Sequence, residues 1–405
     1  MRIAWFAHSW LSDWNHGNAH FLRGLARALM HHGHAVRLYE PFPTAQGGWS
    51  LANLIQESRG AAAIAQFRAV YPELHVTFIA PAARPSQPSP HLAARILSPA
   101  EWEAQLADCD LVLVHEWVLP ELMERLAALR RRHAFYLVFH DTHHRALSDP
   151  AALERLPLRQ CDAVLVFGAS LQRYYRQRLG PGRVYTMHEA ADVSWFYPRP
   201  RQFRHDLVWI GNWGDEERTG ALQRYLVEPA RALQRESRRL GSDRTAAARV
   251  LVHGVRYPAA ALARLSDAGV EYGGYLPNLA APAAFAAAPL TLHVPRAPYN
   301  ACGELDGIPT IRVFEALACG ATLVCAPWID SEGLFEAGSD YAMAADTAGM
   351  TALLRSLLAN PRAARRLAEH GRDTVLARHT CAHRARELES ICRDIGLTCS
   401  SSVPA

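Results

Sequence analysis

The sequence predicts an α/β protein built from two doubly wound halves. Two observations predict it. Short apolar runs alternate with helical patterns along both halves, the pattern of βαβ units on a parallel sheet. A Pro-rich, charged stretch, residues 196–201, separates two such series and reads as a linker. The length, 405 residues, allows two or three domains with a sizeable core in each.

The elements follow in order. Residues 3–7 read as a strand, and the polar loop 9–17 leads into a helix over 18–32 that Gly33 closes. Further strands are predicted at 35–39, 75–80, 111–115, 135–140, 163–168 and 183–187, with a helix at 121–133. Residues 81–90, rich in Pro and Ser, read as a loop. After the linker, strands are predicted at 207–211, 250–254, 270–274, 290–294 and 321–326. Helices are predicted at 217–239 and 310–318, and 350–395 reads as helical with Arg-rich faces. The polar tail 398–405 completes the chain.

Composition narrows the chemistry. Half the residues are hydrophobic and a fifth charged, which excludes a mostly disordered chain. The net charge of +4 is too small to argue for nucleic acid. All 43 basic residues are Arg. Without Lys there is no Schiff-base enzyme and no P-loop, so anions fall to Arg, His and helix N-termini. The 8 Cys show no metal-type spacing and read as buried thiols of a reducing compartment. The first apolar run is too short for a leader or a membrane span, so a cytoplasmic protein without stable membrane insertion is expected.

Four segments carry candidate chemistry. In the segment 307–320, Ile311, Phe314 and Leu317 form a buried stripe, with Pro309 opening the helix and Gly320 closing it. Arg312 sits in the first turn, where an anion is favoured, and Glu315 could accept both hydrogens of a vicinal diol. The same spacing also makes an intrahelical ion pair on a solvated face. In 206–218, a strand ends in a Gly turn at Gly211 and Asn212 before a helix start, where doubly wound folds bind ligands, and Arg218 could meet a diphosphate or lie at the surface. In 13–20, Gly17 allows close backbone approach and Asn18 is a good N-cap, while His16 and His20 are candidates for base or phosphate contact. In 139–144, His140, Asp141, His143 and His144 invite a metal, but adjacent His side chains point apart, and a cleft-facing His140 fits better. No G-x-G-x-x-G opens either half.

With these residues the chain resembles GT-B-fold glycosyltransferases of the group-1 type, and among them the spore-maturation-protein (CgeB-like) branch. The segments 16–21, 138–141, 190–198, 210–213 and above all 308–327 carry the resemblance, which spans nearly the whole chain. It implies two Rossmann-like domains facing a cleft: residues 1–198 with a returning helix at about 380–397 on the acceptor side, and 199–379 on the donor side. It implies a nucleoside-diphosphate sugar as co-substrate, no other cofactor, no bound metal, and retention among relatives with an E-x7-E motif. Glu315 would match the ribose-binding glutamate. Arg218, Arg312 and the turn residues Gly17, Asn18, Gly211 and Asn212 would lie on the donor, together with Asp306, Gly307 and Ile308. His140 would lie near the transferred sugar, with Asp141 beside it, and His20 would serve as base if the enzyme inverts. The first Glu of E-x7-E is replaced here by Gly307. The acceptor could be a glycan, lipid-linked sugar, protein, nucleic acid or small metabolite, and the loops 41–58 and 81–99 would shape its site. Rival readings are a sugar-nucleotide epimerase or hydrolase on the same fold, and a non-catalytic sugar-nucleotide-binding protein.

Overall fold

The computed structural model describes residues 1–43, 48–80, 96–239, 248–299, 304–305 and 307–397. Two units emerge, Met1–Glu189 with Cys381–Ala405, and Ala190–Thr380. Residues 196–201, expected as a linker, lie inside the second unit. Phe196 is buried there, and Arg201 donates 2.8 Å to the carbonyl of Gly320.

The first unit carries strands β1 (Arg2–Phe6), β2 (Ala35–Pro41), β3 (Val76–Ile79), β4 (Ile96–Leu97), β5 (Leu111–His115), β6 (Tyr136–Asp141), β7 (Ala163–Val166) and β8 (Val184–Thr186). Their order is β4-β3-β2-β1-β5-β6-β7-β8, and every pairing is parallel. The chain winds outward in both directions from β1, so the switch point lies between β1 and β5. Ile3 and Phe6 of β1 face Leu111 and Val114 of β5 in register. Each central strand is a continuous apolar run because helices cover both faces of the sheet. The last helix, Cys381–Asp394, belongs to this unit. Its Cys381 Sγ reaches the Phe21 carbonyl at 3.7 Å, and Arg384 Nε donates 2.8 Å to the His188 carbonyl.

The second unit carries β9 (Leu207–Ile210), β10 (Val250–His253), β11 (Val270–Tyr272), β12 (Leu290–His293), β13 (Thr322–Cys325) and β14 (Ala342–Met343), ordered β11-β10-β9-β12-β13-β14 and again parallel throughout. Leu207, Val252, Leu292 and Val324 meet Met350 and Leu354 in its core. The two-residue strands β4 and β14 were not expected, being too short to show a period.

The predicted helix 217–239 is helical throughout: Asp215–Leu222 runs into Glu228–Arg239 through a π turn at Gln223–Val227. Pro229 has no N–H for the preceding turn, which accounts for the widened turn there. The stretch 350–395 is three helices, Thr347–Ala359, Pro361–Arg378 and Cys381–Asp394. Asn360 starts the middle one by accepting from the Ala363 N–H at 3.1 Å, ahead of Pro361 at the first helical position.

Candidate functional site

The carboxyl end of the second sheet gathers most of the donor candidates. Glu315 lies in the helix Ile311–Ala318, whose Ile311, Phe314 and Leu317 pack inward. Pro309 stands one residue before the cap Thr310 rather than inside the first turn, and Gly320 follows the helix at φ +63° as expected. The Arg312–Glu315 ion pair forms, but not on a solvated face: Glu315 is 0 % exposed. One of its oxygens takes the Arg312 guanidinium, and the other accepts 2.8 Å from the Asn278 amide. A carboxylate with this burial stays ionised only when paired.

Arg218 folds back over the turn that follows β9 and donates 2.9 Å to the Asn212 carbonyl, leaving its Nε buried without a hydrogen-bond partner among the described residues. Burial, then the neighbouring Arg296, with Arg312 also contributing, pulls its guanidinium down to about 9, so it is still charged at neutral pH. Arg296, just past β12, pairs with Glu217 at 3.1 Å. His293, at the end of β12, is buried and meets Thr310 Oγ1 at 3.1 Å. Burial first, and Arg218 and Arg312 next, hold it down to about 3, so it is neutral. Among the described residues, Arg218, Arg296 and Arg312 thus gather with Glu217 and Glu315 at one sheet end, beside the N-termini of two helices, whose backbone N–H groups favour an anion.

The turn residues are fixed by packing. A Cβ on Gly211 would lie 2.7 Å from the Trp209 ring, and its carbonyl accepts 2.7 Å from Tyr257. Asn212 Oδ1 accepts 2.9 Å from the Val255 N–H. Gly307, where the first Glu of E-x7-E would stand, has φ +82°, and a Cβ there would lie 1.9 Å from Ser331 Oγ. Ile308 is buried beside it. Asp306 falls outside the described residues.

In the first unit, His140 lies on β6, 1 % exposed, with its ring 5.5 Å from that of His115. Burial holds it down to about 3, so it is neutral, and neither ring nitrogen has a hydrogen-bond partner among the described residues. Asp141 is fully buried, with its oxygens engaged by the Tyr175 hydroxyl at 2.6 Å and the His143 N–H at 3.0 Å. Next to it, Glu116 is pushed well above the carboxylate range by burial and then by Asp141, and accepts 2.8 Å from the Thr142 N–H. His20 is buried on the helix Ala19–His31. Asn18 precedes that helix but makes no side-chain cap. Its amide donates 2.7 Å to Thr142 Oγ1 in the loop after β6. Gly17 is exposed at the turn before it.

Comparison with known proteins sharpens this picture. The profile of a family described as glycosyl transferase-like matches residues 218–390, a span from Arg218 through Glu315 into the last helix. No curated protein matches the chain. Among solved structures, sucrose-phosphate synthase from Thermosynechococcus elongatus aligns at TM-score 0.63 and 15% identity, covering 98% of this chain and 99% of that one. HepE of Anabaena, in complex with UDP, aligns at 0.61 and 13%, covering 97% and 100%. An alpha-glucosyltransferase in complex with UDP aligns at 0.63 and 12%, covering 97% and 100%. The fold is therefore GT-B, with two parallel-sheet α/β units.

Sequence reasoning passed over Arg296, Asn278 and His293. His293 ends β12, and Arg296 and Asn278 lie after β12 and β11, yet none belongs to a recognisable local pattern. It weighed a metal only at residues 139–144 and set it aside there. Among the described residues, the metal-type ligands that converge are His8, His16 and His115, from three separate segments. His143 and His144 stack on each other at 4.1 Å instead. No helix among the described residues is long and apolar enough to cross a membrane.

Proposed function

We propose that this chain is a glycosyltransferase that takes its sugar from a nucleoside-diphosphate donor held by the second unit. The observation that carries the proposal is the buried Glu315, fixed by Arg312 and Asn278 beside two further arginines. Glu315 would accept the ribose hydroxyls. Arg218, Arg312 and Arg296 would meet the diphosphate and the negative charge that grows on it as the glycosidic bond breaks. The UDP complexes of HepE and of the alpha-glucosyltransferase, which share this fold, support a nucleotide in this role. Arginine charge would replace a divalent cation on the diphosphate, so donor binding would need no metal. His140, neutral by burial, would act near the transferred sugar and His20 as the acceptor's base in an inverting reaction. Membership of the spore-maturation-protein-like branch rests on the motifs at 16–21 and 308–327.

Gly307 favours a second reading. Ser331 fills the space that a side chain at 307 would use, so the sugar contact typical of E-x7-E relatives is lost. A protein that binds the donor without transferring it fits that loss. Donor turnover separates the two. Each nucleoside-diphosphate sugar is incubated with the protein, with and without a pooled set of glycan, lipid and small hydroxylated acceptors, and nucleoside diphosphate release is followed. The transferase reading predicts release that depends on acceptor, with product anomers by NMR giving the stereochemistry. Release without acceptor indicates a hydrolase, and binding without release indicates a binding protein.

A further inference from the structure

We propose that His8, His16 and His115 form a binding site for one divalent transition metal of the zinc class, with a fourth position open to water or a substrate oxygen. The three residues arrive from the loop after β1, the loop before the helix Ala19–His31, and the last position of β5. They therefore stand at the carboxyl end of the sheet where β1 meets β5, the switch point at which doubly wound sheets take ligands. Ligand nitrogens from all three lie within 4.8 Å of one another, and all three side chains are buried. A bound metal would draw nitrogens so placed in to a metal–nitrogen distance of about 2.0–2.1 Å.

The hydrogen-bond inventory points to an ion rather than to a stack of core aromatics. Both ring nitrogens of His8, Nε2 of His16 and Nδ1 of His115 are buried with no hydrogen-bond partner among the described residues. Buried polar atoms are ordinarily satisfied, and four orphans in one place ask for a shared partner. The remaining nitrogens are already anchored. His16 Nδ1 lies 2.8 Å from Ser9 Oγ, and His115 Nε2 lies 3.1 Å from Thr142 Oγ1. Thr142 is held in turn by Glu116, at 2.8 Å to its N–H. Metal-bound imidazoles are held in this way, with the far nitrogen fixed by an outer polar group. Half-buried Trp49 stacks on His8 at 5.4 Å, and Trp117 meets its edge at 6.3 Å, giving the site an apolar wall.

Three imidazoles with an open position suit zinc, cobalt, copper or nickel rather than magnesium or calcium. A metal there would polarise an oxygen bound in the fourth position. The site lies wholly in the first unit, and its test reads metal rather than transfer, so it stands or falls apart from the donor proposal.

The test is a titration of the chelator-treated, full-length protein with Co2+, read by visible absorption and by metal content after desalting. One Co2+ per chain with an intense four-coordinate spectrum is expected, displaced by Zn2+. His8→Ala and His16→Gln should each weaken binding at least tenfold, and Ser9→Ala by about 10-fold through the lost outer contact. His143→Ala should leave binding unchanged. Circular dichroism on each variant separates lost ligation from lost fold, and Ser9→Ala, which keeps all three imidazoles, tests the site without emptying it. No retained metal, a weak six-coordinate spectrum, or binding equal in wild type and the folded His8→Ala and His16→Gln variants would overturn the proposal.

Discussion

Gly307 and Glu315 are eight residues apart, and their fates differ for a physical reason. Glu315 faces inward on a helix that Asn278 and Arg312 hold, whereas Gly307 sits in a left-handed turn against Ser331. Restoring the missing acid by Gly307→Glu is therefore expected to damage the protein rather than improve it. Left-handed backbone costs a non-Gly residue about 1–2 kcal/mol, and the clash with Ser331 adds to it. Thermal unfolding should show a loss of at least that size, partly recovered when Ser331→Gly is added. Recovery of donor turnover without loss of stability would contradict this account. The Arg312–Glu315 spacing was legible in the sequence, but its burial was not. Spacing fixes which side chains are neighbours on a helix, while the strand ends and the turn at Asn278 decide whether that face is wet. The arginines divide in the same way. Arg218 stands in a strand–turn–helix segment and Arg312 in a helix with clear start and stop signals, but Arg296 follows β12 in a stretch with neither, so only the assembled sheet end reveals it.

At the scale of elements, the alternation of apolar runs and helices predicted the long strands within a residue or two at most ends. The runs are continuous because both sheet faces are covered, so periodicity did not have to choose a face. It missed β4 and β14 and the π turn just ahead of Pro229. The turn after β1 shows how much an element can store in one side chain. Glu40, at the end of β2, is 0 % exposed and accepts from the N–H groups of Trp10 at 2.6 Å and Leu11 at 2.8 Å. Burial, outweighing those two bonds and Arg23, raises it from 4.5 to about 7. The folded state thus keeps a proton that the unfolded chain loses near 4.5, so stability is fully present below that pH and falls as pH rises through about 7. The loss is on the order of 3 kcal/mol. Urea unfolding of wild type and Glu40→Gln between about pH 4.5 and 8 should show wild-type stability falling relative to the variant's by this amount. Parallel curves would refute the assignment.

At the scale of the whole molecule, the chain leaves its first unit at Glu189 and returns at Cys381. The returning helix was expected from the resemblance at about 380–397 and lies at Cys381–Asp394. Leu388 and Ile391 are buried in the first unit with Cys381, Ala385 and Cys392, and Glu389 meets His32 at 2.7 Å and His34 at 3.0 Å. Truncation after Thr380 therefore removes core from the first unit while leaving the second complete. Burial of Leu388 and Ile391 alone is worth about 3–6 kcal/mol as an upper figure. Calorimetry of the truncated chain should show the first unit's transition lowered or lost. The second unit's transition should persist and should be the one that a bound nucleoside diphosphate raises. A single transition that shifts as one would contradict independent cores.

The donor pocket is the central claim, and calorimetric titration with a panel of nucleoside diphosphates and their sugars tests it most directly, on wild type and on Glu315→Ala. The account predicts saturable binding of one nucleotide, at least tenfold weaker in the variant, with no requirement for a divalent cation. Binding of none of them, or binding that Glu315→Ala leaves unchanged, would contradict it.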